Sequence, residues 1–364
     1  MKYIPLSIPN LAGNELKYVS DALAQQWVST GGGYISRFEK EFASYVKVSN
    51  AVAVQSGTAA LHLAMLECGV IRGDLVIAPT LTFIAAINPI RYLGADPVFI
   101  DCDDSLCIDP DKVERYLSES CEKREGKIFD SAQSRRVSAV LVVHVFGNMA
   151  DMERIMDIAT RFGLPVIEDA TEAVGSFYTS GRYDGKMAGT IGDIGAYSFN
   201  GNKIITTGGG GMLVSHDDDI TTHARYLSTQ AKDDDIFFVH NEIGYNYRMT
   251  NLQAALGVAQ LEQLEGFVET KRNNYEYYQS AGLRLLAFRD TIRPNYWFYS
   301  FGSRDRDGLI NFISKRGIQV RPIWTLIHTQ KMYRQCSVFE TDKANLYYDT
   351  IGGVHKPLFR VTCT

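Results

Sequence analysis

Lys203, Asp169 and a glycine-opened helix near Gly57 are the residues from which chemistry can be built. Lys203 closes the run Tyr197-Ser198-Phe199-Asn200-Gly201-Asn202-Lys203, and Ile204-Ile205-Thr206-Thr207 and four glycines, Gly208 to Gly211, follow it. A lysine becomes a Schiff-base nucleophile when its amine is desolvated or set near another cation, and glycine-rich backbone lets a cofactor come close. The other use of the same residues is a tight glycine hairpin with an exposed lysine. Asp169 stands in Val166-Ile167-Glu168-Asp169-Ala170-Thr171-Glu172, at the carboxyl end of an apolar run, where open α/β sheets bind their ligands. A carboxylate there can keep a pyridine nitrogen protonated and so make the ring an electron sink. It can equally cap a helix.

Gln55-Ser56-Gly57-Thr58-Ala59-Ala60-Leu61 follows a strand pattern and opens a helical one. Free backbone N–H groups and the Thr58 hydroxyl could hold a phosphate there, although plain helix capping uses the same residues. Phe83, in Thr80-Leu81-Thr82-Phe83-Ile84, offers a flat face to an aromatic cofactor or a side chain to the core. His144 reads as a hydrogen-bonded core histidine. No Ser, His and Asp set in a nucleophile-elbow context and no histidine pair at metal spacing is present, so hydrolase and metalloenzyme readings have little support and no metal is expected.

The elements that must position these residues alternate helix and strand. Asn14 to Gln26 puts Leu16, Val19 and Leu23 on one stripe, and Ser36 with Glu39 has the spacing of a capping box ahead of Phe38, Phe42 and Tyr45. Short β-branched runs at Ala51–Val54, Leu75–Ala78, Val98–Ile100, Val137–Val143 and Pro165–Ile167 alternate with helical stretches such as Asp151–Arg161. That rhythm predicts an α/β fold with a mainly parallel sheet covered on both faces. Glu119–Arg136 is polar without periodicity and reads as an exposed excursion. From Asn251 one long amphipathic helix is expected to run to Val268, then strands and a helix around Asp305–Arg316. This shift sets the expected division, a large domain over 1–250 and a smaller one over 251–364.

Composition removes several function classes. The 364 residues carry a formal charge of −5, so nothing attracts a nucleic acid backbone in general. No run of about 18 apolar residues could span a membrane, and the start Met1-Lys2-Tyr3-Ile4-Pro5 lacks the apolar stretch of a signal peptide, which leads to a cytoplasmic expectation. Six cysteines are scattered without a C-x-x-C pair and are expected as reduced thiols.

With those residues in hand, the chain resembles the sugar aminotransferases of the DegT/DnrJ/EryC1/StrS family from about Ile4 to about Leu358. The motifs that carry the likeness are Trp27-Val28-Ser29-Thr30-Gly31, Ser56-Gly57-Thr58-Ala59-Ala60-Leu61-His62, Pro79-Thr80-Leu81-Thr82-Phe83, Glu168-Asp169-Ala170, Ser198-Phe199-Asn200-Gly201-Asn202-Lys203 and Gly244-Tyr245-Asn246-Tyr247-Arg248-Met249-Thr250-Asn251. The resemblance implies the fold type I architecture of aspartate aminotransferase. Such a fold has a large domain on a mostly parallel seven-stranded sheet, a smaller C-terminal α+β domain, and a homodimer whose sites draw on both subunits. It implies pyridoxal 5'-phosphate as cofactor, with Lys203 forming the internal aldimine and Asp169 pairing with the pyridinium nitrogen. Phe83 matches the stacking aromatic, Gly57, Thr58 and Ser198 the phosphate cradle, and Asn246 a residue given to that phosphate by the other subunit. Glu172 stands where relatives often carry Gln or His near the ring hydroxyl.

The implied reaction is ping-pong. L-glutamate leaves its amino group as pyridoxamine 5'-phosphate, Lys203 shuttles the proton, and a nucleotide-linked keto-sugar then takes the amino group. Dehydratases of the family carry histidine at this lysine's position, so Lys203 selects transamination. Gly201 to Gly211, His240 to Asn246 and Ile318-Gln319-Val320-Arg321-Pro322 with His328 look most like enzymes that aminate C4 of UDP-linked 4-keto-6-deoxy-N-acetylglucosamine for surface glycans. Ser29, Thr30, Arg321 and His328 are the substrate-side candidates. Relatives using dTDP-4-keto-6-deoxyglucose look similar and often have Gly-Glu-Gly-Gly where this chain has Gly208 to Gly211. The segment Val354-His355-Lys356-Pro357-Leu358 departs from the family's leucine-proline motif and final helix, so a shortened small domain is expected. Two other readings stand beside the transaminase: a sensor or scaffold that keeps the fold without turnover, and a pyridoxal enzyme acting on amino acids alone, such as a desulfurase.

Overall fold

Strands that are apolar on both faces must be covered on both sides, and that requirement organises this chain. The computed structural model describes residues 3–234, 236–303 and 305–348, and the backbone of 358–361. Its main strands are β1 (Asn50–Val54), β2 (Leu75–Pro79), β3 (Asp96–Ile100), β4 (Cys121–Arg124), β5 (Lys127–Asp130), β6 (Arg135–Val143), β7 (Val166–Asp169), β8 (Phe177–Tyr178), β9 (Ile194–Ser198) and β10 (Gly211–Ser215). The helices between and after them are α1 (Glu15–Ala24), α2 (Gly33–Val46), α3 (Gly57–Glu67), α4 (Ile84–Tyr92), α5 (Pro110–Glu119), α6 (Met152–Phe162), α7 (Asp218–Ser228), α8 (Asn251–Leu261) and α9 (Leu264–Ser280).

The sheet runs β1-β10-β9-β7-β6-β2-β3 and ends on a late strand, Ser337–Phe339, parallel to β3. β10 is antiparallel to both neighbours, whereas β9, β7, β6, β2 and β3 run parallel in series. Every strand of that path except β10 therefore points the same way. The carboxyl ends of β1, β2, β6, β7 and β9 consequently share one edge of the sheet, and the residues just beyond them face a common space. The α/β expectation holds, with a sheet of ten strands among the described residues where seven were implied. The hairpin β4-β5, set against the start of β6, and Ser337–Phe339 are the additions.

Three expectations about local structure need correction. The polar stretch 119–136 is that hairpin, and Glu125 and Gly126 turn it with φ of 49° and 79°, the positive pair that a two-residue hairpin turn uses. Ser36 caps nothing, because α2 already begins at Gly33, where the Asn251 side chain accepts the Tyr34 N–H at 3.0 Å. Glu39 instead accepts the Ala53 N–H and pairs with Arg225 and Arg248. The reciprocal capping box is Thr250 with Gln253, at the start of α8. The single long helix is two, broken at Glu262 and Gln263, whose side chains take donors or donate to Asn14, Tyr18 and Glu15 around α1.

α8 lies against α1 and α2, which brings the later part of the chain onto the first. Among the described residues, no helix is long and apolar enough to cross a membrane. The five described cysteines are free thiols, and no cluster of potential ligands could hold a metal ion there.

Candidate active site

The shared strand edge opens into a cleft of about 350 Å³, lined by residues from the ends of β1, β6, β7 and β9 together with two tryptophans from later in the chain. At one end stands the start of α3. Ser56, in extended backbone, accepts the Ala59 N–H at 3.0 Å through its hydroxyl and so fixes the first turn. The N–H groups at a helix start have no intrahelical acceptor, so this turn presents donors and positive potential to the cleft. Gly57 is required for space. A Cβ there would meet the Ser198 Cβ at 2.8 Å and the Thr171 Cγ2 at 3.0 Å. Gly57, Thr58 and Ser198 line the same wall.

Asp169 ends β7 with its side chain in the cleft, and Thr171 donates its backbone N–H to Oδ1 at 3.0 Å. Burial pushes its carboxyl above the usual aspartate range, against the Thr171 hydrogen bonds and the Lys203 charge that pull it down. The preceding Glu168 faces the other way and is wholly buried. His144 accepts the Ala150 N–H at Nδ1, which leaves the proton on Nε2 to donate to Glu168 Oε2 at 2.7 Å. Gly189, Ile191 and Gly192 also donate to Glu168. Burial pushes the Glu168 carboxyl up, but these donors together hold it below its ordinary value. The His144 amide in turn donates to the Asp169 carbonyl at 3.0 Å, so this buried pair stiffens the strand end that carries Asp169.

Lys203 enters from the loop after β9. The Phe199 N–H donates to the Gly210 carbonyl, and Thr206 and Thr207 both donate to the Phe199 carbonyl, which folds the glycine segment back beneath the lysine. Gly210 has φ of 153°, and a Cβ there would collide with Thr207. The Lys203 side chain is only 12% exposed, and its Nζ lies 3.8 Å from Glu172 Oε1. Glu172 is fixed by the Phe146 N–H, 2.9 Å from Oε2. The exposed hairpin lysine considered from the sequence is therefore not what forms.

Phe83, just before α4, is half exposed and lines the opening, with its ring 6.3 Å from that of Trp324. Of the sequence-derived candidates, Gly57, Thr58, Phe83, Asp169, Glu172, Ser198 and Lys203 come together. Ser29, Thr30, Asn246, Arg321 and His328 lie outside the lining of this cleft. Ser29 and Thr30 are exposed, and the Ser29 carbonyl accepts the Asn251 N–H. Asn246 accepts from Gln230 at 3.2 Å, Arg321 is exposed, and His328 Nδ1 sits 2.6 Å from the Thr80 hydroxyl. Burial lowers the His328 pKa. The two tryptophans of the lining, Trp297 and Trp324, were absent from the sequence reading. The only local signal for the first is the aromatic run Tyr296-Trp297-Phe298-Tyr299.

These residues fit one cofactor by their chemistry. A buried carboxylate can hold a protonated ring nitrogen, a helix start can hold a phosphate, and a shielded primary amine can join an aldehyde. Fold and cleft together define a pyridoxal-phosphate-dependent aminotransferase of fold type I. The chain belongs to the DegT/DnrJ/EryC1/StrS aminotransferase family, which it matches over residues 9–350. It is 39% identical over 341 residues to the GDP-perosamine synthase of Escherichia coli O157:H7, covering 92% of this chain and 88% of that one. It is 37% identical over 290 residues to the spore coat polysaccharide biosynthesis protein SpsC of Bacillus subtilis (strain 168), covering 77% of this chain and 69% of that one. The crystal structure of the aminotransferase TlmJ from Streptoalloteichus hindustanus superposes with a TM-score of 0.86 at 27% identity, over 100% of this chain and 94% of that one.

Proposed function

We propose that this enzyme moves an amino group from L-glutamate to the keto carbon of a nucleotide-linked 4-keto-6-deoxy sugar, giving a 4-amino sugar for a bacterial surface glycan. The observation that carries the reading is the shielded Lys203 amine in one cleft with Asp169 and the start of α3. Pyridoxal phosphate supplies an aldehyde carbon that takes up amino groups and a ring that draws off negative charge. Lys203 would bind that carbon through its amine, and the same amine, when free, would serve as the acid and base that carries a proton in the cleft. Asp169 would keep the ring nitrogen protonated, and Gly57, Thr58 and Ser198 would hold the phosphate. Phe83 would pack on the ring and Glu172 would serve its hydroxyl, both from the lining of the cleft.

The active unit in this reading is a cytoplasmic homodimer in which Asn246 serves the partner's phosphate, and Ser29, Thr30, Arg321 and His328 take the sugar nucleotide. The division into a cofactor-binding part over 1–250 and a smaller part over 251–364 belongs to the same proposal. For the nucleotide, GDP is the first candidate, since GDP-perosamine synthases of Escherichia coli, Vibrio cholerae and Caulobacter vibrioides are 37–39% identical to this chain. The motifs Gly201–Gly211 and His240–Asn246 support UDP-linked N-acetylhexosamine as the second. Incubation with glutamate and each of the GDP-, UDP- and dTDP-linked keto-sugars, read by mass spectrometry and by NMR at the new C–N bond, tests the proposal. Amination of one of them at C4 is expected; a holoenzyme that aminates none would reject it.

A further inference from the structure

Trp297 belongs to a stretch of chain almost a hundred positions beyond Lys203, and yet it touches both the lysine and the residue before it. Its indole face lies 4.3 Å from Lys203 Nζ, ring centroid to nitrogen. Its ring N–H donates to the carbonyl of Asn202, the residue before the lysine, at 2.8 Å. The indole is almost fully buried, at 3% exposure. It is also braced from behind. Asn295, wholly buried, accepts the Trp297 N–H at 2.9 Å and donates to the carbonyls of Glu172 and Val174, both at 2.9 Å. Ser176 accepts the Asn295 N–H at 2.9 Å. One short segment thus ties the loop bearing Glu172 to the loop bearing Lys203, and the aromatic face forms the floor beneath the amine.

We infer that Trp297 is a positioning residue for Lys203: its ring N–H anchors the lysine's backbone and its face holds the amine in the cleft, ready to meet the cofactor aldehyde. An aromatic face attracts an ammonium, and a buried indole N–H needs an acceptor, so one contact holds the lysine's nitrogen and the other holds the peptide bond that leads into the lysine. In the attachment step the ammonium would first give up one proton; the neutral nitrogen would then form a double bond to the aldehyde carbon, its two hydrogens leaving with the aldehyde oxygen as water. The rate of that step depends on where the amine waits, and displacement of a reacting group by about 1 Å is enough to slow a reaction by about 100-fold. The inference rests on Lys203 being the attachment residue.

The test compares two ligands. Pyridoxal phosphate bonds to the lysine, whereas pyridoxamine phosphate has no aldehyde and cannot. Apoenzymes of wild type, Trp297→Phe and Trp297→Leu are mixed with pyridoxal phosphate, and growth of the yellow band of attached cofactor is timed. Dissociation constants for pyridoxamine phosphate are measured on the same proteins. Trp297→Leu is expected to slow attachment by about tenfold or more while pyridoxamine phosphate affinity stays within about twofold. Trp297→Phe keeps a ring face without the N–H and is expected to fall between. Unchanged attachment in both variants, or equal losses for both ligands, overturns the role of Trp297. A wild type that never develops the band overturns the assignment of Lys203 itself, which separates the two failures.

Discussion

Glu172 and Lys203 approach to 3.8 Å in the buried heart of the cleft, while the far oxygen of the same carboxylate receives the Phe146 N–H at 2.9 Å. Glu172 thus links the turn after β6 to the lysine loop. Leaving the Phe146 N–H buried without its acceptor costs about 1–3 kcal/mol. Glu172→Ala is expected to lower apoenzyme stability by that amount, whereas Glu172→Gln keeps an amide oxygen for Phe146 and recovers most of it. Chemical denaturation of the two variants measures the difference. Equal losses would show that the N–H contact contributes nothing.

Asp169 predicts a conflict between stability and function. Its carboxyl is raised by burial, so the folded apoenzyme binds more protons here than the unfolded chain does between the ordinary aspartate value and the raised one. Its contribution is therefore complete below the unfolded value, and stability falls as pH rises through the folded one. Asp169→Asn removes that slope and is expected to raise the apoenzyme melting temperature at neutral pH. Amino transfer is expected to fall by about 100-fold at least. Melting curves across pH for both apoproteins check the sign, and a variant less stable than wild type at neutral pH would contradict it.

Glu168 carries the opposite sign. Burial opposes its charge, but His144 and three backbone N–H groups outweigh that, and the folded carboxyl lies below its unfolded value. Its stabilisation is present above the unfolded glutamate value and is lost as pH falls through the folded one. Glu168→Gln changes almost no volume, yet turns one acceptor oxygen into a donor that faces donors. A loss of about 2–4 kcal/mol is expected by denaturant titration at neutral pH. A loss below about 0.5 kcal/mol would mean that the cluster is not held by its charge.

The site was legible where a motif is contiguous and ends a strand. Asp169 and Ser198 close β7 and β9, and Gly57 opens α3 after β1, so strand polarity alone brings these residues to one edge. Lys203 follows by a short loop. Trp297 and Trp324 were not legible, because they reach the cleft through tertiary packing from chain distant in sequence, and an aromatic run looks the same in any core. The false capping box at Ser36 had the right spacing, but a side chain from α8, Asn251, caps that helix across the fold. The hairpin at 121–130 hid because its outer strand, Cys121–Arg124, is charged and largely exposed, and its inner strand, Lys127–Asp130, is only four residues long.

Gly57 offers a test of close approach at the helix start. Its α-carbon has room for hydrogen only, since an added methyl would press on Ser198 and Thr171 at 2.8 and 3.0 Å. Gly57→Ala is expected to cost about 1–3 kcal/mol and to weaken cofactor binding through the displaced helix start. Equilibrium dialysis with pyridoxamine phosphate reads the second effect. Undiminished affinity would remove this turn from the phosphate site.

The central claim is that Lys203 carries the cofactor. Reduction of the holoenzyme with borohydride, followed by proteolysis and mass mapping, fixes the attachment point as a stable secondary amine. The cofactor mass is expected on the peptide containing Lys203, and Lys203→Ala should neither develop the yellow band nor transfer amino groups. Label on a different lysine, or none on a catalytically active protein, would contradict the account.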